Sequence, residues 1–341
     1  MSRDNLSNVD SIKSVIVGLA GAAFGRHGAR AAKTPVALHK GVRMKILIAV
    51  DGSIYTDHAL EFLASRESFL KTSPEIEMLS VVPQIPAGAL RFVERDVLEG
   101  YYKDCSEKIF KPIRKFLRGK DLPVNEVYVV GDPAESVAQE SQRIEADLLV
   151  MGSRGRSSLK GLFLGSVTRG VLARTNVPML IVRSDLIPKK DAMRVGIAVD
   201  GSPQSKAVVR YVINNRDFFG KDSKFYLIYV TSDISLTLLA GVSTGSPQPL
   251  KGTDLETIKE ESYREATEDV IPMLDKAGIE YEKVCAEGAA GDTLAKVAKK
   301  KKLNLMVMGS HGYGRFKSAV LGSTAMRLLA KGEVPVLLVR K

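Results

Sequence analysis

The 341-residue sequence has two cysteines, four histidines and no apolar run near the roughly 20 residues that cross a bilayer. Cys105 and Cys285 stand far apart and in no metal-ligand spacing, which argues against a disulfide framework or a zinc site and for a reducing compartment. The expected location is therefore cytoplasmic, and both thiols are read as packing residues rather than redox sensors. The longest early apolar run, Val15 to Phe24, is broken by Gly18 and Gly21, so no membrane anchor is expected. His27, His39 and His58 show no partner pattern and are read as exposed. Three catalytic signatures are also missing: the Gly-x4-Gly-Lys-Ser/Thr loop, a nucleophile elbow and a clustered His/Glu metal site.

The formal charge of +11 loses most of its meaning once divided along the chain. Residues 1–43 hold seven basic and two acidic residues, an excess of +5, against +2 for 44–190 and +4 for 191–341. The one dense basic run, Lys299 to Lys302, falls at the expected carboxyl end of a helix, where cations suit the dipole, so no specific nucleic-acid partner is expected.

What the chain does contain is one stretch written twice. Gly152 to Ser166 reads GSRGRSSLKGLFLGS, and Gly309 to Ser323 reads GSHGYGRFKSAVLGS. Each follows an apolar run and has the spacing Gly-x2-Gly-x9-Gly-Ser, the last pair opening a helical pattern. The order of elements around it also repeats. Lys45–Val50 is a buried-strand pattern ending in Asp51-Gly52-Ser53, followed by helical spacing at Ala59, Leu60, Leu63 and Ala64. Strands are then expected at Glu75–Val82, Val124–Val130, Asp147–Met151 and Val177–Val182. Helices are expected at about Glu99–Arg118, from Asp132-Pro133 through Arg143, and at about Ser166–Arg174. The second round has strands at Arg194–Val199, Lys224–Val230, Tyr281–Ala286, Asn304–Met308 and Val334–Val339. Its offset is 149 residues at Asp-Gly-Ser and 157 at the glycine stretch, and the gain is assigned to a loop from Thr231 to Thr253.

The expected organisation is a flexible extension over 1–43, a first domain over 44–184, a linker over 185–192 and a second domain over 193–341. Alternating buried strands and helices predict an α/β fold of two tandem doubly wound domains, each a five-stranded parallel sheet with helices on both faces. Ligands in such sheets bind beyond the carboxyl ends of the strands, where the strand order reverses. Asp51 and the Gly152 stretch both fall there. A carboxylate accepts hydrogen bonds from a sugar or an amine, while glycines and free helix N–H groups let backbone approach phosphate oxygens. That chemistry suits a nucleotide. Asp51 and Asp200 are equally readable as helix caps or turn residues, and Gly155 and Gly312 as tight-turn glycines. Arg154, Arg156, His311 and Arg315 are either phosphate contacts or ordinary surface cations.

The doubled glycine spacing, the Asp ending each first strand and the Val-Pro opening each fifth strand resemble the universal stress protein family in its tandem form, over about residues 44–341. The resemblance implies a Rossmann-like fold of the adenine nucleotide alpha hydrolase type and ATP, with Mg2+, as ligand. Asp51 and Asp200 would contact adenosine, and the backbones of Val81 and Val230 would meet adenine. Gly152, Ser153, Gly155, Gly165, Ser166 and Val167 would cradle ribose and phosphates. In the second copy Gly309, Ser310, Gly312, Gly322, Ser323 and Thr324 would do so, Thr324 departing from the valine of the first. Gly131 and Gly291 would close over the ribose. No general base is evident near the stretch, so a nucleotide-regulated stress-response protein is the expectation. An adenylating or slowly hydrolysing enzyme and a nucleotide-free, chaperone-like scaffold are the alternatives. The apolar fifth strands are expected to join the two halves, and whole chains to be capable of dimerising.

Overall fold

The computed structural model describes residues 43–86, 88, 93–155, 164–183, 187–231, 252–310 and 321–340. Nearly all of the expected 1–43 extension, with His27 and His39, lies outside the described residues. So do 184–186, where the first domain meets the linker, and most of the Thr231–Thr253 loop.

The first repeat runs β1 (Lys45–Val50), α1 (Ile54–Ala64), α2 (Glu67–Leu70), β2 (Glu75–Val82), α3 (Arg95–Phe116), β3 (Asn125–Val130), α4 (Pro133–Arg143), β4 (Leu148–Gly152), α5 (Ser166–Leu172) and β5 (Met179–Val182). The second runs β6 (Arg194–Val199), α6 (Pro203–Asn214), α7 (Arg216–Phe219), β7 (Lys224–Thr231), α8 (Gly252–Thr267), α9 (Ile271–Lys276), β8 (Tyr281–Glu287), α10 (Ala290–Lys301), β9 (Leu305–Gly309), α11 (Ser323–Lys331) and β10 (Val336–Val339). Asp132 caps α4 by accepting from the Glu135 N–H at 2.9 Å, with Pro133 at the first helical position. The fifth strands begin two residues later than the sequence suggests. Proline has no N–H for the ladder, and Pro178 and Pro335 serve only as acceptors, from Leu149 and Met306. Helix α3 begins at Arg95 rather than Glu99 and carries Pro112 within it.

All described strands belong to one ten-stranded sheet in the order β3-β2-β1-β4-β5-β10-β9-β6-β7-β8. Within each repeat every pairing is parallel; between repeats β5 and β10 run antiparallel, with Leu337 opposite Leu180. The two apolar edges thus close on each other. Side-chain alternation divides the core into two layers. Ile46, Ile48 and Val50 face the layer holding Leu60, Phe62 and Val208, whereas Leu47 faces Val171 and Leu328 on the other side. Each layer spans both repeats.

A second contact between the repeats lies away from the sheet. Phe69 meets Phe218 edge-on at 5.3 Å, and Arg66, fully buried, stacks over Phe62 at 5.5 Å. Its Nη1 donates to the Asp191 carbonyl at 2.6 Å and its Nη2 to that of Lys190 at 2.8 Å. The same segment presses on Gly220, whose φ of +87° and lack of a side chain let it sit against the Asp191 carbonyl.

Candidate functional site

The strand order reverses between β1 and β4, and a cleft of about 760 Å³ opens at their carboxyl ends. Asp51 leaves β1 at its rim. Gly52, at φ +72°, turns the chain back so that Ser53 can open α1. The Asp51 Oδ1 accepts from the Ser53 N–H and from Thr56 Oγ1, both at 3.0 Å. The turn reading is therefore correct for this oxygen, and it coexists with a place in the cleft wall. Asp200 repeats the arrangement, accepting from the Ser202 N–H and Ser205 Oγ at 3.0 Å each. Thr56 and Ser205, which hold these carboxylates in place, carry no motif and were not singled out by sequence.

The glycine stretch is fixed at both described ends. The Ser153 N–H donates to the Val182 carbonyl and the Gly165 N–H to the Ser153 carbonyl, each at 2.8 Å. Thr168 Oγ1 ties the first turn of α5 back to the Gly152 carbonyl at 3.1 Å. Two of the glycines are required by close approach. A Cβ on Gly155 would stand 2.6 Å from Asp51 Oδ2, and one on Gly152 would stand 2.6 Å from Tyr55 Cβ. Glycine at 155 thus lets the loop backbone reach the carboxylate across the mouth of the cleft.

Asp51, Val81, Gly152, Gly155, Gly165, Ser166 and Val167 line the cleft together. Gly131 and Ser153 are not among its lining residues: a Cβ on Gly131 would stand 2.7 Å from Ser136 Oγ, and Ser153 is fully buried with its Oγ unpartnered. Arg154 lines the cleft, with a buried Nε that has no hydrogen-bond partner. One wall comes from α3, through Tyr101, Cys105, Lys108, Ile109 and Pro112. Sequence offered no signal for these, because their register depends on how α3 crosses the sheet. The Cys105 thiol beside Tyr101 pushes that hydroxyl above its ordinary range.

In the second repeat, Asp200 and Val230 stand at the ends of β6 and β7, and Gly309 and Ser310 at the end of β9. Gly322 closes on Ser310 through its N–H at 2.8 Å, and Ser323 and Thr324 open α11. Gly312 lies outside the described residues, as do Arg156, His311 and Arg315. Gly291 needs correction. It lies in the first turn of α10, and a Cβ there would stand 2.6 Å from Arg327 Cβ. The position after β8 that matches Gly131 belongs to Gly288, at φ +128°. Its successor is Ala289 rather than an aspartate, so the capping signal that marks the first copy is missing from the second.

Three single-residue expectations also change. Cys285 is exposed on the edge strand β8, and Cys105 is half-buried in the cleft wall, so neither packs a core. His58 is half-buried with its ring edge-on to Tyr55, because α1 turns that side inward. Among the described residues no cluster of His, Cys, Asp or Glu could hold a metal ion, and no helix is long and apolar enough to cross a membrane.

Comparison with known proteins agrees with this architecture. The model of the Universal stress protein family matches residues 43–183 and again 192–340. A universal stress protein of Mycolicibacterium smegmatis is 26% identical over 300 residues, covering 86% of this chain and 96% of its own. One of Mycobacterium tuberculosis is 25% identical over 227 residues, 65% of this chain and 70% of its own. In fold, the crystal structure of a universal stress protein from Archaeoglobus fulgidus covers 87% of this chain and 96% of its own at a TM-score of 0.59 and 22% identity.

Proposed function

Because the chain belongs to the universal stress protein family, we propose that it is a stress-response protein that binds ATP, with Mg2+ as counterion, at the carboxyl ends of β1 and β4 and at the matching place in the second repeat. One observation carries the reading: the cleft brings Asp51 and the backbone of Gly152, Gly155 and Gly165 to one opening, although they lie about a hundred residues apart in sequence. In this reading Asp51 accepts from the sugar, Val81 meets the base along β2, and the glycine backbone with Ser166 and Val167 receives the phosphates. Arg154 supplies the cation nearest them. Asp200, Val230, Gly309, Ser310, Gly312, Gly322, Ser323 and Thr324 take the same parts in the second repeat.

Binding rather than turnover is the proposed activity. Asp51 Oδ1 already takes two hydrogen bonds from its own turn, which suits a fixed acceptor better than a base that must take up a proton. Nucleotide then acts by biasing the packing of the two repeats, or of one chain on another, and through it the partner contacts. Mass spectrometry of the supernatant after denaturing the purified full chain tests the ligand. ATP at up to two per chain is expected. A chain that retains none, and that gives no heat on titration with ATP and millimolar Mg2+, refutes the reading.

A further inference from the structure

Asp51, Lys108 and Arg154 are the charged residues described in the wall of the first cleft, and one of the two cations lacks a counterion. Lys108 is exposed on α3, where water solvates it. Arg154 is half-buried, its Nε is closed off from solvent, and it forms no hydrogen bond or ion pair among the described residues. Asp51 Oδ1, at the rim, already accepts from Ser53 and Thr56. A buried donor left unpaired is rare in a folded protein and calls for an explanation.

The backbone brings a second arginine beside it. Gly152 and Val182 are register partners of β4 and β5, and the Ser153 N–H donates to the Val182 carbonyl at 2.8 Å, so Arg154 and Arg183 leave adjacent strands side by side. Arg183 is anchored. Its Nη1 donates to the carbonyl of Leu329 near the carboxyl end of α11, in the other repeat, where the helix dipole also favours a cation. Arg340 makes the matching bond to Leu172, the last residue of α5. Burial and the charge of Arg154 push the Arg183 guanidinium below its ordinary range, while Tyr55 and Glu333 act in the opposite sense. Two like charges thus stand close together with one of them fixed. The fixed one occupies the acceptor at the helix end and repels the other, which leaves Arg154 the cleft as the place to meet an anion.

From this pair we infer that the first cleft selects nucleotides by the charge of their phosphate chain: Arg154 contacts the chain, and Arg183 is a positioning residue that keeps Arg154 turned toward it. The inference rests on the nucleotide reading above and names the class of ligand, a nucleoside polyphosphate rather than a monophosphate. A guanidinium presents its donors as a planar fork that fits phosphate oxygens two at a time, and a longer chain brings more charge within its reach. The second repeat carries His311 at the sequence position that matches Arg154, so the selection is assigned to the first site alone.

Isothermal titration with ATP and with AMP, at millimolar Mg2+, tests it in the full chain carrying Asp200→Ala, which weakens the second site so that the heat reports the first. In that background ATP should bind at least about tenfold more tightly than AMP. R154M should remove the preference. R183M should remove it equally while leaving AMP affinity unchanged, and R183K, which keeps the charge, should retain it. R183M added to R154M should change nothing further. A merely structural Arg183 would weaken both nucleotides together or lower the melting temperature alone; either result, or a preference that survives R154M, overturns the inference. Absence of heat with both nucleotides refutes the nucleotide reading instead, and the pair is then judged with inorganic tripolyphosphate. Binding that R154M weakens about tenfold supports the anion site; equal binding with and without Arg154, or none, overturns it.

Discussion

The Arg66 side chain reaches out of the first repeat and donates to the main-chain carbonyl of Asp191 at 2.6 Å, in the segment that leads into the second. Its companion bond to Lys190 and its stacking on Phe62 leave it fully buried, and burial lowers its pKa to about 10. The guanidinium fastens the connecting segment to the first repeat, with no motif in the sequence to mark it.

Removing that contact should loosen the pairing of the repeats. Arg66→Ala leaves two inward carbonyls without a donor and a void beside Phe62, a loss of about 3 kcal/mol in unfolding free energy. Denaturant unfolding followed by circular dichroism measures it. A change below about 0.5 kcal/mol would mean that water takes over the donor role.

The glycines of the first loop should separate into two kinds. Gly155→Ala sets a methyl group 2.6 Å from an Asp51 Oδ2 whose carboxylate is already held by Ser53 and Thr56. Affinity for ATP at this site should drop at least about tenfold, with little effect on folding. Gly152→Ala instead meets Tyr55 Cβ and its main chain, and should cost about 1–3 kcal/mol of stability. Titration calorimetry and thermal melts on the two variants distinguish the outcomes.

Helices α4 and α5 touch through Gly170, where a Cβ would stand 2.6 Å from that of Ala134. The second repeat exchanges the partners: the glycine, Gly291, is on α10, and Arg327 faces it from α11. One small residue per crossing is thus required, on either helix. Gly170→Ala should destabilise by about 1–2 kcal/mol, and adding Ala134→Gly should restore most of it. Independent, additive losses in the double-mutant cycle would contradict this account.

Stability should also depend on pH through a pair of carboxyl groups below the sheet. Arg143 Nη2 stands 2.6 Å from Glu140 and 3.4 Å from Glu77. Burial, together with the hydrogen bond and charge of Glu140, pushes Glu77 up to about 7. Glu140 stays below its ordinary range despite burial, through its bonds to Arg143 and Glu77. The folded state therefore holds the Glu77 proton more tightly than the unfolded chain does. This contribution is complete below the ordinary carboxyl pKa and is lost as pH rises through about 7. Melting temperature should fall between pH 5 and about 7.5, and Glu77→Gln should flatten that dependence; a wild-type curve that is level over this window refutes the assignment.

Much of the fold was legible because burial on both faces of a parallel sheet leaves a continuous apolar run. Lys45–Val50 and Arg194–Val199 coincide with their strands to the residue. The glycine spacing likewise marked the loop, since close backbone approach admits few other residues. Three kinds of feature were not legible. The α3 wall of the cleft has no motif, because any amphipathic helix can present a wall. Gly291 is expected beside the ribose like Gly131, whereas the position that follows the strand is Gly288. Thr56 and Ser205 anchor their aspartates with hydroxyls that look like ordinary first-turn residues.

The sequence by itself determined the repeat, the parallel strands and the family, because these follow from periodicity and local sterics within each copy. Only the tertiary structure decided the antiparallel register in which β5 and β10, expected from sequence to join the halves, merge the two sheets, that Arg66 grips the connecting segment, and that Arg183 and Arg340 cross to the opposite repeat. Those relations join residues up to 168 positions apart. They are set by which edges and carbonyls remain unsatisfied once each repeat has folded, a property of the assembled surfaces rather than of any stretch of chain.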